Sequence, residues 1–480
     1  MARKRTILLR AAFIASLCAA IYANQLSFMV DTGGRGGASI RGGGAEMPPS
    51  LALITVALGP LRGLVVDGLW WRVSDLQEQG EYFEILNITD WITTLDPGDP
   101  FVWTFHSWNL SYNIAYEFPT PETRWKWVEA GMKLLRDDAL GYIPDNKMIE
   151  SELAYFFLDR IGGFTEPARE YYIERWAENM GRYLKSGDRD ELIMLASAKS
   201  GALEKRSDAL ERKLKLRPER MLRLDKRYGP FQWRLPQAQA VYWGAREKDE
   251  DYRQGDLNYR SVVSAAMRQA FLYGSIVEDE KAGLFVVTHN FEVTRSIIVY
   301  YEKELGRGGH KARDRGVFND FAKRAAAILY AFDRRDLAYE LYMARRKLVD
   351  NGDERNFRDY IQGTLTKMLK SSLPPRYKQT MIEIQLYNAY KALRSRNLVQ
   401  AKRLADKAEK QWNEHQAPRQ SPMAMYKLPP FESLKAAALA KLMSRMKKQQ
   451  RERFARFVQS KKIAKLALPE KIDVAKLEIQ

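Results

Sequence analysis

Residues 68–97 read GLWWRVSDLQEQGEYFEILNITDWITTLDP, and the reading of this stretch decides the fold. Apolar residues recur at helical spacing on both sides of Gly80, a residue that closes a helix because glycine adopts the left-handed conformation without steric cost. Gly80, Tyr82, Ile85, Ile92 and Pro97 are spaced as two helices folded back on one another through a tight turn. Val73 and Ile85 stand where closely packed helix pairs prefer glycine or alanine, so this pair is expected to sit somewhat wider than most.

The same rhythm returns twice in the second half of the chain. One unit carries Ala326, Leu329, Ala338 and Tyr342; another carries Ala389, Ala392, Ala401, Ala405 and Ala408. Small residues at these offsets let two helices approach closely, and each pair must stack on a neighbour because it cannot bury its apolar face alone. These are the spacings of tetratricopeptide helix pairs. The expected fold is therefore all-α: a tetratricopeptide-like α-solenoid of helical hairpins with one N-terminal transmembrane helix. Strand signals are scarce. Residues 283–294, GLFVVTHNFEVT, are alternating and β-branched enough for a short hairpin strand and fit a buried loop equally well.

Residues 101–118, FVWTFHSWNLSYNIAYEF, follow DPGDP and carry no charge before Glu117. Phe101, Phe105, Trp108 and Tyr112 form one helical stripe, and Trp103, Leu110 and Ile114 form another. A helix apolar on two sides is expected to have neighbours on two sides, which places Trp108 in a core and makes His106 a structural residue. Asn109 and Asn113, one turn apart on this helix, need partners if buried. They can bond a neighbouring loop, or line a concave face and hold a partner's backbone. RWKWVEAGMKLLRD places Trp125, Val128, Met132 and Leu135 on one stripe, and TEPAREYYIERWAENMGRY offers Thr165 as a cap. The charged run 204–227 reads as one solvated helix ending near Pro218 and a second after it.

Both charge signs are abundant, 78 Lys or Arg against 60 Asp or Glu, for a net charge of +18. That surplus favours anionic partners, phospholipid headgroups, acidic glycans or nucleic acid, without choosing among them; nucleic acid is not expected, because a charged run such as 204–227 is ordinarily a solvent face. Cys18 is the only cysteine, which excludes an intrachain disulfide and a multi-cysteine zinc site. ARKR precedes an apolar run from Ile7 to Ala23 broken only by Arg10. By the positive-inside tendency this is an anchor over residues 6–24 with residues 1–5 cytoplasmic; a cleaved signal peptide is the alternative. Residues 25–50 read as a Gly-rich linker. Leu51–Trp71 is apolar, but Pro60, Arg62 and Asp67 break it, so it opens the helical body.

The four histidines are isolated, with no HExxH, no GxSxG elbow and no usable cysteine nucleophile. No catalytic residue, metal site or cofactor is expected, and an enzyme of unknown chemistry stands only as a distant alternative. Residues 228–243, YGPFQWRLPQAQAVYW, suggest an elbow displaying Trp233 and Arg234. Residues 431–480 carry thirteen Lys or Arg against five Asp or Glu. Their stripe Leu434, Ala438, Leu442 and Met446 is expected to cap the solenoid, leaving a basic amphipathic tail, removable from 447 onward, to meet an anionic partner through Lys447, Lys448, Arg451 and Arg453.

RGLVVDGLWWR, WITTLDP, FVWTFHSWNLSYNIA, RWKWVEAGMKLLRDD and YGPFQWRLPQAQAVYW together resemble a group of uncharacterised bacterial membrane-anchored proteins with a tetratricopeptide-like body, over roughly residues 55–245. The resemblance implies an N-terminal anchor and a helical-repeat body, and brings no catalytic residues. The expected layout is an N-terminal repeat region at 51–245, a second at 246–430 and the tail at 431–480. The expected role is a scaffold of the bacterial inner membrane, single-pass and mostly extracytoplasmic, binding proteins of an envelope complex through Trp108, Asn109, Asn113, Trp233 and Arg234. Binding of an anionic envelope polymer or lipid surface is the alternative.

Overall fold

The computed structural model describes residues 62–246, 257–306, 311–349, 356–370, 375–416, 428–460, 466–469 and 471–480. The expected anchor at 6–24, the linker at 25–50 and residues 51–61 lie outside them. Among the described residues no helix is long and apolar enough to cross a membrane. The fold is all-α, and the described residues form two compact units, one up to Glu152 and one from Leu153.

In the first unit, α1 (Arg62–Gln79) and α2 (Tyr82–Leu95) are the predicted pair. Gly80 is left-handed at φ 76°. Around it, Glu81 N–H donates to Leu76 O at 3.0 Å and Gly80 N–H to Gln77 O at 3.2 Å, the two bonds that satisfy the last carbonyls of a helix. Val73, Leu76, Ile85, Ile88 and Ile92 bury against each other and Val102. Next come α3 (Pro100–Trp108), capped by the Asp99 carboxylate with Pro100 in its first turn, and α4 (Pro121–Lys133), capped by Thr120. Between them the helix widens into a π turn at Asn109–Asn113 and tightens at Ile114–Glu117. Gly131 lets α4 approach this turn: a Cβ there would overlap Ser111 Oγ, and Ser107 Oγ donates to Gly131 O at 2.9 Å. Trp125, Val128, Met132 and Leu135 are all buried, as their spacing predicts. α5 (Lys147–Tyr155) spans the boundary between the units.

The second unit opens with α6 (Arg169–Gly181), which starts later than the expected cap at Thr165. Glu166 instead pairs with Arg160 and accepts from Ala168 N–H. Then come α7 (Arg189–Ser197), α8 (Gly201–Leu214), α9 (Pro218–Tyr228) and α10 (Pro236–Gly244). The predicted break before Pro218 is present. Every residue of α10 is buried, and it packs on α11 (Leu257–Tyr273). The domain boundary expected after residue 245 would therefore cut through a core; the compact units divide at Glu152 and Leu153.

Residues 283–294 supply a strand. β1 (Ser275–Asp279) and β2 (Leu284–Thr288) pair antiparallel, Ser275 opposite Thr288. The helices after it are α12 (Thr294–Gly306), α13 (Lys311–Ala331), α14 (Arg335–Val349), α15 (Phe357–Lys370), α16 (Pro375–Arg394), α17 (Leu398–Gln416), α18 (Phe431–Met443) and α19 (Lys448–Gln459). α13 packs on α14, and α16 on α17. Both turns repeat the one at Gly80. Asp333 and Arg396 are left-handed at φ 60° and 59°; Arg334 N–H reaches Leu329 O at 2.8 Å and Asn397 N–H reaches Ala392 O at 2.9 Å. Counted from the left-handed residue, the positions seven before (Val73, Ala326, Ala389), five after (Ile85, Ala338, Ala401) and twelve after (Ile92, Arg345, Ala408) are buried in all three pairs.

The C-terminal segment departs from expectation. α18 is buried on every side, Lys435 and Lys441 included, rather than laid as an amphipathic cap, and it packs on β1, β2 and α16. Phe454, Val458, Leu466, Ile472, Val474 and Leu477 are buried as well. The described residues of 431–480 are thus part of the second unit's core rather than a basic tail. Their cationic side chains alternate with apolar ones that the helical core takes up.

Candidate functional site

The expected contact residues fall into different surroundings. Around α3 and its π turn, Val102, Trp103, His106, Asn109, Leu110 and Ile114 face inward. Asn109 Nδ2 donates to Tyr82 O at 3.2 Å and Asn113 Nδ2 to Asn109 Oδ1 at 2.9 Å, so these amides find partners within the first unit. The other stripe is not buried: Trp108 is 40% exposed and Phe101 51%. The expectation of a core Trp108 is overturned because α2 and α4 pack on the other side of this helix, while this side meets α1 through Trp70 at Phe101 and Phe105. The outward side is a continuous row of rings, with centroids 5.5 Å apart for Trp70–Phe101, 5.0 Å for Trp70–Phe105, 6.5 Å for Phe105–Trp108 and 6.1 Å for Trp108–Tyr112. Beside it Trp71 is exposed on α1. His106 is buried, its pKa pushed down to about 4 by loss of solvent, and its Nδ1 finds no partner among the described residues.

Trp233 and Arg234 hold the second unit together rather than standing free. Trp233 is fully buried and its Nε1 donates at 3.0 Å to Asp225, which also accepts from Phe231 N–H at 2.8 Å and Arg189 Nε at 2.6 Å. Arg234 forms a two-pronged pair with Glu278 at 2.5 and 2.8 Å and reaches Gln480 Oε1 at 3.2 Å. Both of its terminal nitrogens are thus taken up by acceptors within the unit. Lys447, Lys448 and Arg453 are exposed at the start of α19, whereas Arg451 is half-buried and paired with Glu478 at 3.1 Å.

A cluster of ionisable groups in the second unit has no counterpart in the sequence reading. β2 and the residue after it present Thr288 and His289, α16 presents Gln379, Thr380 and Glu383, and α18 presents Lys441; all are buried. Thr288 Oγ1 donates to Glu383 Oε2 at 2.7 Å and accepts from the Lys441 ammonium. Gln379 Nε2 donates to Glu383 Oε1 at 2.7 Å and to Val287 O at 2.9 Å. His289 Nε2 pairs with Thr380 Oγ1 at 3.1 Å, while its Nδ1 faces Glu383 Oε2 at 3.4 Å, outside hydrogen-bond geometry. Burial pulls the Lys441 ammonium down to about 8 against the opposing pull of Glu383. Burial likewise lowers the His289 imidazole, against the opposing pull of Glu383. Glu383, which burial alone would raise, is held below the usual carboxylate range by His289, Lys441 and Gln379. The arrangement is one buried ion pair, Lys441 and Glu383, bridged by a threonine hydroxyl.

His289 and Glu383 stand 94 residues apart, so inspection of the histidines one by one finds no neighbour for them. One signal was present: Lys441 sits in FESLKAAALAKLM, a helix with too few polar residues for a solvent face. Among the described residues no group of histidine, cysteine and carboxylate side chains is placed to hold a metal ion. No family model matches the sequence, and no curated protein or solved structure matches it.

Proposed function

We propose that the chain is a scaffold of tetratricopeptide-like helical hairpins, held at a bacterial inner membrane by residues 6–24 with its body outside the cytoplasm, and that it binds a protein partner of an envelope complex. The common register of the pairs turning at Gly80, Asp333 and Arg396 supports the repeat reading. One observation carries the binding reading: the row Trp70, Phe101, Phe105, Trp108 and Tyr112 on the first unit, where Phe101 and Trp108 remain open to solvent. Contiguous exposed rings are costly in a free surface and are the side chains that dominate protein interfaces.

The test is affinity capture from crosslinked membranes with the parent and with a Phe101→Ser/Trp108→Ser double variant. A protein enriched by the parent and lost by the folded variant supports the reading; an identical set from both overturns it. A reporter fused after Gln480 should be active outside the cytoplasm. The exposed Lys447, Lys448 and Arg453 favour a second reading, contact with anionic lipid or glycan. Neutralising these three should then weaken a salt-sensitive association with anionic vesicles.

A further inference from the structure

Lys441 does not end in packed protein. It forms the floor of a cavity of about 180 Å³ within the second unit, whose walls include His289, Asn290, Phe291, Phe332 and Tyr387. The ammonium lies 5.7 Å from the centre of the Phe291 ring and 5.9 Å from that of Phe332, so it is flanked by apolar faces on the way in. Its hydrogen bond runs to Thr288, and Glu383 lies behind that hydroxyl. At the mouth stand Arg334, paired with Glu292 at 2.7 Å, and Arg445, whose Nη1 donates to Asp333 O at 2.9 Å. Glu292 answers Arg334, and Glu383 behind Thr288 answers Lys441, so Arg445 is the surplus cation of the lining.

We propose that this cavity binds one small oxyanion, a short carboxylate or a phosphate, with the Lys441 ammonium at its base and the Arg334 and Arg445 guanidiniums at its entrance. Three considerations converge on that class. A buried ammonium is stable only when its donors are satisfied, and one hydroxyl leaves it with further donors to place. Guanidiniums in the lining match the planar or tetrahedral oxygens of such anions. A space of 180 Å³ is below the range typical for larger organic ligands, roughly 300–1,000 Å³, and suits an anion of a few heavy atoms. The site is independent of the aromatic row on the first unit and stands or falls separately from the scaffold reading.

The test is calorimetric titration of the full chain in detergent with sodium phosphate and, separately, sodium succinate, at ionic strength held constant with sodium chloride. The same titrations are run on Lys441→Met and Arg445→Gln. Saturable binding of either probe, weakened about tenfold or more by Arg445→Gln and abolished by Lys441→Met, is the expected result. Phosphate alone binding identifies a phosphate site and succinate alone a carboxylate site. Arg445 is exposed and stands outside the buried core, so that variant remains informative if Lys441→Met does not fold. Heats no different from chloride for both probes, or equal affinity in parent and Arg445→Gln, overturn the proposal.

Discussion

Ile276 and Gln480 exchange both backbone hydrogen bonds, N–H to O at 2.9 Å in each direction. Gln480 thereby extends the edge of β1, and the Arg234 guanidinium clamps its side chain from the other side. With Val474 and Leu477 buried just before it, this segment completes the second unit. Deleting residues 474–480 should lower the stability of that unit by about 3 kcal/mol, the cost of exposing two aliphatic side chains and an open sheet edge. The midpoint of its urea transition reports this directly. Deleting 447–480, harmless if those residues were a solvated tail, should leave the unit unfolded; a truncated chain with the parental transition would refute the layered arrangement.

The two tryptophans of α3 should separate cleanly. Trp103 is 4% exposed and its Nε1 donates to Pro97 O at 2.9 Å, so Trp103→Ala should cost the first unit about 3–5 kcal/mol. Trp108 contributes ring contacts to Phe105 and Tyr112 at the surface, and Trp108→Ala should cost about 1 kcal/mol. Equal shifts in denaturant midpoint for the two variants would mean that the buried face has been assigned wrongly.

His106 makes the first unit sensitive to mild acid. Its imidazole titrates near 6.5 when exposed and near 4 in the fold. Between those values the unfolded chain binds the additional proton, so the stabilisation is complete above pH 6.5 and is lost as pH falls to 4. The loss should be about 3 kcal/mol. His106→Asn should flatten this part of the stability–pH profile relative to the parent; parallel profiles would show that the imidazole is solvated.

The shared hairpin turn predicts substitutions of opposite sign. A Cβ on Gly80 would meet no atom within 4 Å, so Gly80→Ala carries only the cost of φ 76°, about 1 kcal/mol of destabilisation. Arg396 already bears that cost at φ 59°, and Arg396→Gly should stabilise by about 0.5–1 kcal/mol. Thermal midpoints moving in the same direction would show that the two turns are not equivalent.

What the sequence determined by itself is what depends on near neighbours along the chain. The helices and their ends follow from Asp99 and Pro100, Thr120, Gly80 and the break at Pro218. The three helix pairs follow from small or aliphatic residues at fixed distances from a turn, because a turn sets the register of the two helices it joins. The strand at Leu284–Thr288 was legible as one of two options; its partner Ser275–Asp279 was not, since two of its five residues are acidic.

Only the tertiary structure decided which of two apolar faces acquires neighbours. Phe101, Phe105, Trp108 and Tyr112 recur at helical spacing, as do Trp103, Leu110 and Ile114, and periodicity states that a face is apolar without stating what covers it. The same holds for Lys441, Glu383 and His289. A charge in a helix reads as solvent-facing until a strand and a second helix, brought from far along the chain, close over it and supply its partners. Such pairings depend on chain closure over long separations, which no local pattern encodes.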